Sequence, residues 1–222
     1  KTKLKKQLLK NKKKIITDLD LLYLNNPNLK SIVVTGTNGK STTCKIIEHL
    51  LKKKFNVQLG GNIGKPVLNL KDRKKTIFVI EASSFQLAHS KFIKPKYALI
   101  LNITRDHLDW HGNMNEYVNS KFKIFSLQTK KDYAFLNNNK LINKFHAKNN
   151  SGKIILVSSK FYKKISNKVD NTYLRSKSNI ENMSFVYSLS KVLKIKDSYF
   201  IKSLKSFKGL PHRNEMFYKK NN

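Results

Sequence analysis

The stretch Ile32-Val33-Val34-Thr35-Gly36-Thr37-Asn38-Gly39-Lys40-Ser41-Thr42 decides the fold of this chain. An apolar, β-branched run leads into two glycines and then into a helical pattern, which predicts a strand, a tight turn and a helix start. Glycine lets such a turn bring its backbone N–H groups against an anion, and the positive end of the helix points to the same place. The stretch therefore predicts a phosphate-binding loop.

The residues of this loop suit a nucleotide. The expected ATP-binding residues are Gly36, Thr37, Asn38, Gly39, Lys40, Ser41 and Thr42. Lys40 would reach the β- and γ-phosphates, and the Ser41 hydroxyl would ligate magnesium. The general P-loop pattern requires a glycine where this chain has Val34, so the hypothesis rests on the shorter form Gly-Thr-Asn-Gly-Lys-Ser-Thr. An ordinary glycine turn capped by Ser41 is the alternative.

The rest of the chain alternates between strand and helix patterns. Short apolar runs predict strands over 31–35, 56–59, 76–81, 97–102, 133–137 and 153–157, and helical spacing is found over 41–54, 117–127, 179–193 and 198–207. This alternation is typical of an α/β fold, here a P-loop-type, mostly parallel sheet with helices on both faces. We expect an ATP-binding central domain over 31–217, a linker with a short lysine-rich helix over 1–30, and a tail over 218–222.

Lysine dominates the composition. The formal net charge is +33, yet arginine occurs only at positions 73, 105, 175 and 213. Specific nucleic-acid recognition favours the arginine fork and interleaved aromatic residues, so no specific nucleic-acid partner is expected. The abundance of lysine, asparagine and isoleucine fits a genome rich in A and T. Nonspecific binding of polyanions stays open as an alternative.

Other bulk features exclude several classes of protein. The chain has no run of eighteen apolar residues, and its basic N-terminus lacks the apolar core of a signal peptide. The single cysteine, Cys44, excludes an internal disulfide and a cysteine-based zinc site. We therefore expect a cytoplasmic enzyme without a membrane partner.

Four further motifs follow the loop. They are the segments 60–66 (GGNIGKP), 81–87 (EASSFQL), 101–109 (LNITRDHLD) and 209–215 (GLPHRNE). Together with the loop they resemble the Mur ligase family over about residues 18–217, and the run SSFQL is similar to its D-glutamate-adding members. The resemblance implies the central domain of that family, with its N-terminal UDP-sugar domain and C-terminal amino-acid domain absent.

The resemblance implies an ATP-dependent amide ligase of peptidoglycan synthesis. ATP would convert the carboxylate of UDP-N-acetylmuramoyl-L-alanine into an acyl phosphate, which the amino group of D-glutamate would attack. The implied cofactors are ATP and two Mg²⁺ ions. We expect a monomer whose missing domains lie in cis or on a neighbouring chain. A folylpolyglutamate-synthase-like ligase shares the loop and is the alternative enzyme, and a non-catalytic remnant is a further alternative.

The resemblance also implies roles for single residues. The catalytic residues would be Lys40, His107 and Lys121, and the metal ligands would be Ser41, Glu81, His107 and, if it is carbamylated, Lys121. The substrate-binding residues would be Asn62, Ser83 and His107. The further ATP-binding residues would be Asn179, Asn182 and Arg213. Four of these residues also have an interpretation that needs no ligand or catalytic role.

Those interpretations are a structural histidine for His107, a chance match for Lys121, a helix cap for Asn179 and a surface cation for Arg213. Arg105, Trp110 and Ser178 stand where the family usually has glutamate, arginine and histidine.

Overall fold

The computed structural model describes residues 14–71, 75–148 and 150–210, together with residues 7, 10 and 11. In this part of the chain one sheet is formed by β1 (Ser31–Thr35), β2 (Val57–Gly61), β3 (Ile77–Glu81), β4 (Tyr97–Ile100), β5 (Tyr133–Leu136) and β6 (Lys153–Leu156). The strand order is β2-β3-β1-β4-β5-β6, and each adjacent pair is parallel. The six predicted strands and the α/β fold are confirmed.

The described helices are α1 (Asp18–Asn25), α2 (Lys40–Leu51), α3 (Ser84–His89), α4 (Leu108–His111), α5 (Met114–Phe122), α6 (Asn139–Ala147), α7 (Ser159–Ser166), α8 (Thr172–Arg175), α9 (Lys177–Val192) and α10 (Asp197–Leu204). The four predicted helices correspond to α2, α5, α9 and α10. α5 begins three residues earlier than predicted because the Asn113 side chain caps it. The short helices α3, α4, α6, α7 and α8 were not predicted; α6 and α7 do have one apolar face, so a periodic signal was present in these two and was missed.

Helices cover both faces of the sheet, as predicted. Along β1, Ile32 and Val34 point into a core with α2, α9 and α10, whereas Val33 points into a core with α1, α3, α5 and α6. All three side chains are fully buried. This two-residue alternation with burial on both sides is why β1 is apolar throughout.

The segment before β1 packs onto the sheet. Thr17 caps α1 by accepting from the Asp20 N–H, and the Asp20 carboxylate accepts from the Thr17 N–H. Leu19 and Leu22 of α1 are buried in the core on that face. The limits of the domain at residues 30 and 217 stay a prediction, and residues 211–222 lie outside the described part. Among the described residues, no helix has both the length and the apolarity to cross a bilayer.

Candidate active site

A small cavity of about 110 Å³ lies at the carboxyl ends of β1 and β3. Its lining includes seven residues predicted from the sequence: Gly36, Thr37, Lys40, Asn62, Ser83, His107 and Lys121. Open parallel sheets bind their ligands at this edge because strands and helix starts meet there. The structure therefore gathers residues that are up to 85 positions apart, as between Gly36 and Lys121.

The phosphate loop has the predicted strand–turn–helix form. Gly39 adopts a left-handed conformation with φ of 83° and precedes α2, which begins at Lys40 without a side-chain cap. The alternative in which Ser41 caps the turn is therefore wrong. A Cβ atom on Gly39 would lie 2.1 Å from Oδ1 of Asn182, so glycine is required both by the backbone angle and by this close approach.

Two lysines converge on the loop. Lys40 Nζ donates to the carbonyl oxygens of Gly36 (3.1 Å) and Thr37 (2.7 Å), and Lys121 Nζ donates to the same Gly36 oxygen at 2.8 Å. Lys121 is only 1% exposed. Burial, and after it the charge of Lys40, lower the pKa of Lys121 to about 7, while Asp106 opposes the shift. The loop therefore lies beside one buried amine that loses its proton easily.

A buried carboxylate at the end of β3 contacts Asn62, which lines the cavity. Glu81 is the last residue of that strand and is 2% exposed. Its Oε1 accepts from Asn62 Nδ2 at 3.3 Å, while its Oε2 is buried without a hydrogen-bond partner. Gly61, with φ of 102°, allows this approach, since Asn62 N donates to the Glu81 backbone oxygen at 2.9 Å. An unpaired buried carboxylate oxygen is costly and would be satisfied by a cation.

His107 lies in the loop after β4 rather than at the strand end. β4 ends at Ile100, and His107 precedes α4 with a left-handed φ of 51°. Its Nε2 lies 3.4 Å from a carboxylate oxygen of Asp106, and its side chain is about half exposed. Lys75 and Lys194 share this positive φ, so the candidate role of His107 rests on its place in the cavity lining.

Tyr117 was not predicted as a site residue. Its hydroxyl lies 3.0 Å from Thr37 Oγ1, and Lys121 Nζ lies 4.5 Å from the centre of its ring. Burial raises the pKa of Tyr117, so the hydroxyl stays protonated. The available signal was its position four residues before Lys121, which places both side chains on one face of α5.

An aromatic group flanks the cavity. Phe85 lines it and stacks on the ring of His111 at 5.7 Å, and Trp110 contacts both rings. His111 Nε2 lies 3.0 Å from Ser84 Oγ. Burial and the charge of Lys121 lower the pKa of His111, which favours a neutral imidazole. Trp110, one of the three departures from the family pattern, thus packs against Phe85 and His111 beside the cavity.

The two asparagines predicted to bind ATP, Asn179 and Asn182, lie on α9. Asn179 donates to the Tyr173 carbonyl oxygen (2.9 Å) and to Ser176 Oγ (3.1 Å), and Asn182 donates to Asn179 Oδ1 at 3.2 Å. α9 begins at Lys177 after Ser176, so Asn179 is not its cap. Asn182 approaches the loop at Gly39. Arg213 lies outside the described residues.

The metal hypothesis can be tested against these positions. No group of three or more His, Cys, Asp or Glu side chains that could hold a metal occurs within the described part of the chain. Magnesium in nucleotide sites is usually held by one or two carboxylates together with phosphate oxygens and water. Glu81, with its unpaired oxygen, fits a magnesium ion that arrives with a triphosphate.

Comparison with known proteins decides the family. The model of the Mur ligase middle domain matches residues 34–200. This chain belongs to that family. The UDP-N-acetylmuramoylalanine–D-glutamate ligase of Rickettsia bellii is 36% identical over 90% of this chain and 49% of its own length. The enzyme of the same name from Fervidobacterium nodosum is 39% identical over 84% of this chain and 43% of its own length.

Solved Mur ligases share the fold. MurF from Thermotoga maritima in complex with ADP superposes with a TM-score of 0.67 at 19% identity, covering 91% of this chain and 54% of that protein. MurF from Acinetobacter baumannii gives a TM-score of 0.67 at 18% identity over 90% of this chain and 51% of that one. The predicted family and fold are confirmed. The chain spans about half the length of the Rickettsia relatives that it matches.

Proposed function

We propose that this chain is the ATP-binding part of a ligase that joins D-glutamate to UDP-N-acetylmuramoyl-L-alanine in peptidoglycan synthesis. One observation carries the proposal: a glycine loop at a helix start and two converging lysines line one cavity, and a buried carboxylate with an unpaired oxygen contacts Asn62 of the same lining. The names of the sequence relatives and the ADP in the Thermotoga MurF support it. The proposed reaction consumes ATP and therefore implies a cytoplasmic location.

The loop would hold the triphosphate. Backbone N–H groups from Gly39 to Thr42 and the positive end of α2 would face the phosphate oxygens. Lys40, which rests on two loop carbonyls, needs only a side-chain rotation to reach a phosphate. Such positioned charges matter most as negative charge builds up during phosphoryl transfer to the substrate carboxylate.

Glu81, Ser41 and His107 would hold magnesium near the phosphates. Ser41 lies at the start of α2 and is 6% exposed, Glu81 brings its unpaired oxygen, and His107 lines the cavity. When bound, magnesium would neutralise phosphate charge while the anionic carboxylate of the substrate approaches. Asn62 and Ser83 line the same cavity and would orient that carboxylate.

Lys121 suits carbamylation. Its buried amine has a pKa of about 7, so a large neutral fraction exists at neutral pH. The nitrogen lone pair would form a bond with the carbon of CO₂, and the nitrogen would release one proton to water. The anionic oxygens of the carbamate would serve a second magnesium ion. A ¹³C signal from labelled bicarbonate that disappears in Lys121→Met would support this step, and its absence in the wild type would exclude it.

Calorimetric titration with ATP in the presence of magnesium tests nucleotide binding. The chain should bind, and Lys40→Ala should weaken binding about 100-fold because a charged hydrogen-bond donor to phosphate is lost. Lys160→Ala removes the same charge from an exposed position on α7, and this variant should bind ATP like the wild type. A well-folded chain that binds no nucleotide would contradict the proposal.

A chimera tests the ligase step. This chain would replace the matching segment of the Rickettsia bellii ligase, which supplies the remaining half of the length. We expect phosphate release that requires both UDP-N-acetylmuramoyl-L-alanine and D-glutamate and that disappears with Lys40→Ala. A chimera that binds ATP but releases no phosphate would point to the non-catalytic remnant.

A further inference from the structure

The phosphate loop depends on a side chain from the neighbouring strand for its shape. Asn102, just beyond β4, accepts from the Asn38 N–H through Oδ1 at 2.9 Å and donates through Nδ2 to the Asn38 carbonyl oxygen at 3.2 Å. Its backbone oxygen also accepts from the Thr37 N–H at 3.0 Å. The start of α2 has no side-chain cap, so this amide is a major support of the loop.

This support works with one orientation of the Asn102 amide. A flipped amide would place its NH₂ group against the Asn38 N–H and its oxygen against the Asn38 carbonyl, and both bonds would become repulsive. Asn102 is only partly buried, so neighbouring contacts must choose the orientation.

Glu181 on α9 is the contact that selects this orientation of the Asn102 amide. Its Oε2 accepts from Asn102 Nδ2 at 3.4 Å, and its Oε1 accepts from Asn137 Nδ2 at 2.8 Å. Asn137 also donates to the Leu101 carbonyl oxygen at 3.0 Å, which anchors the network to β4. An ionised carboxylate accepts hydrogen bonds and donates none, so it selects the amide orientation that presents NH₂. Burial raises the pKa of Glu181 above its ordinary value, and the hydrogen bonds from Asn102 and Asn137 oppose that shift because they stabilise the carboxylate.

We propose that Glu181 is a positioning residue: through Asn102 it holds the phosphate loop in the shape that receives a triphosphate. Glu181 is absent from the cavity lining and sits one residue before Asn182, which touches the loop at Gly39. α9 therefore supports the loop at two points, one direct and one through Asn102. The role of this arrangement in nucleotide binding rests on the proposed function, whereas its effect on the loop does not.

Glu181→Gln is the sharpest test because it preserves size. Glutamine has one oxygen for two amide donors, and its own NH₂ would face the other amide, so Asn102 should lose its fixed orientation. We expect the Asn38 amide hydrogen to exchange about tenfold faster by ¹⁵N NMR, as for one charge-assisted hydrogen bond lost. Affinity for ADP should fall about tenfold while affinity for adenosine stays unchanged, because the loop contacts phosphate.

Two further variants separate positioning from general damage. Glu48→Gln removes the same charge from α2 and should alter neither exchange nor affinity. The double variant Asn102→Ala with Glu181→Gln should show the same exchange rate at the Asn38 amide as Asn102→Ala alone, because Glu181 acts on Asn38 through the Asn102 amide.

The inference is overturned if the Asn38 amide exchanges at the wild-type rate in Glu181→Gln. It is also overturned if ADP and adenosine lose affinity by the same factor, which would indicate general damage to α9. A wild-type chain that binds no ADP would defeat the proposed function, and the exchange measurements would still decide the role of Glu181 in the loop.

Discussion

The loop side of the sheet and the β6 edge differ in what they bury. On the loop side, at the carboxyl ends of β1, β3 and β4, charged side chains are enclosed: Glu81 is 2% and Lys121 is 1% exposed. At the β6 edge, formed by β6 and α7, apolar side chains are open to solvent: Leu156 is 51% and Phe161 is 57% exposed. Burying an ionisable group costs free energy. On the loop side, a bound charged ligand would offset this cost.

The backbone of the loop side should tolerate the least change. Gly61→Ala places a Cβ atom 2.2 Å from the Glu81 carbonyl oxygen at a φ of 102°. Strain and overlap together should lower the free energy of unfolding by about 4 kcal/mol, measured by urea denaturation. Gly112→Ala has a similar φ of 89° but nothing within 4 Å of the new atom, so it should cost about 1–2 kcal/mol. Equal costs would mean that the close approach to Glu81 contributes nothing.

The buried amine should make stability depend on pH. The pKa of Lys121 is about 7 in the fold, below its ordinary value of 10.5, so the unfolded chain holds more protons between these values. Stability should therefore rise with pH through this window, by about 2.5 kcal/mol between about pH 6 and pH 9. Urea denaturation should show this rise in the wild type and in Lys160→Met, and not in Lys121→Met. Parallel curves for all three proteins would show that Lys121 is not buried as an amine.

The unpaired carboxylate should matter for magnesium rather than for folding. Glu81→Gln keeps the shape and the bond with Asn62 but loses the anionic ligand. The gain in ATP affinity on adding magnesium should shrink about tenfold, or 1.4 kcal/mol, by calorimetry, while stability is retained. Glu48→Gln serves as the charge-matched control. If magnesium enhances ATP binding equally in Glu81→Gln and the wild type, Glu81 is not a ligand.

The smallest effect is expected at the β6 edge. Phe161→Ala should change the free energy of unfolding by less than about 0.5 kcal/mol, because the ring is mostly in water. Phe135→Ala, the same substitution in buried β5, should cost about 4 kcal/mol. A large loss of stability in Phe161→Ala would remove the contrast between the two regions.

Much of the fold could be predicted because it is locally encoded. Six short apolar runs predicted the six strands, and the glycine pair before Lys40 predicted the loop. The six-residue helix α3 escaped prediction because so few turns carry little periodicity, whereas the apolar faces of α6 and α7 were present and were missed. In the site, Lys40 and Lys121 were predicted and line one cavity, and the predicted Glu81 contacts Asn62 of that lining. Asn102 and Glu181 were missed because an isolated polar residue carries no pattern, whereas the spacing of Tyr117 to Lys121 was a signal that was not used.

The sequence by itself determined that a strand, a glycine turn and a helix would follow one another at residues 31–51, since neighbouring residues set backbone preferences. The tertiary structure decided what surrounds that turn. The order β3-β1-β4 puts Glu81 on one side of the loop and Asn102 on the other, and α5 buries Lys121 beneath it. The pKa of that amine and the unpaired oxygen of Glu81 arise from distant parts of the chain, because desolvation depends on everything packed around a group.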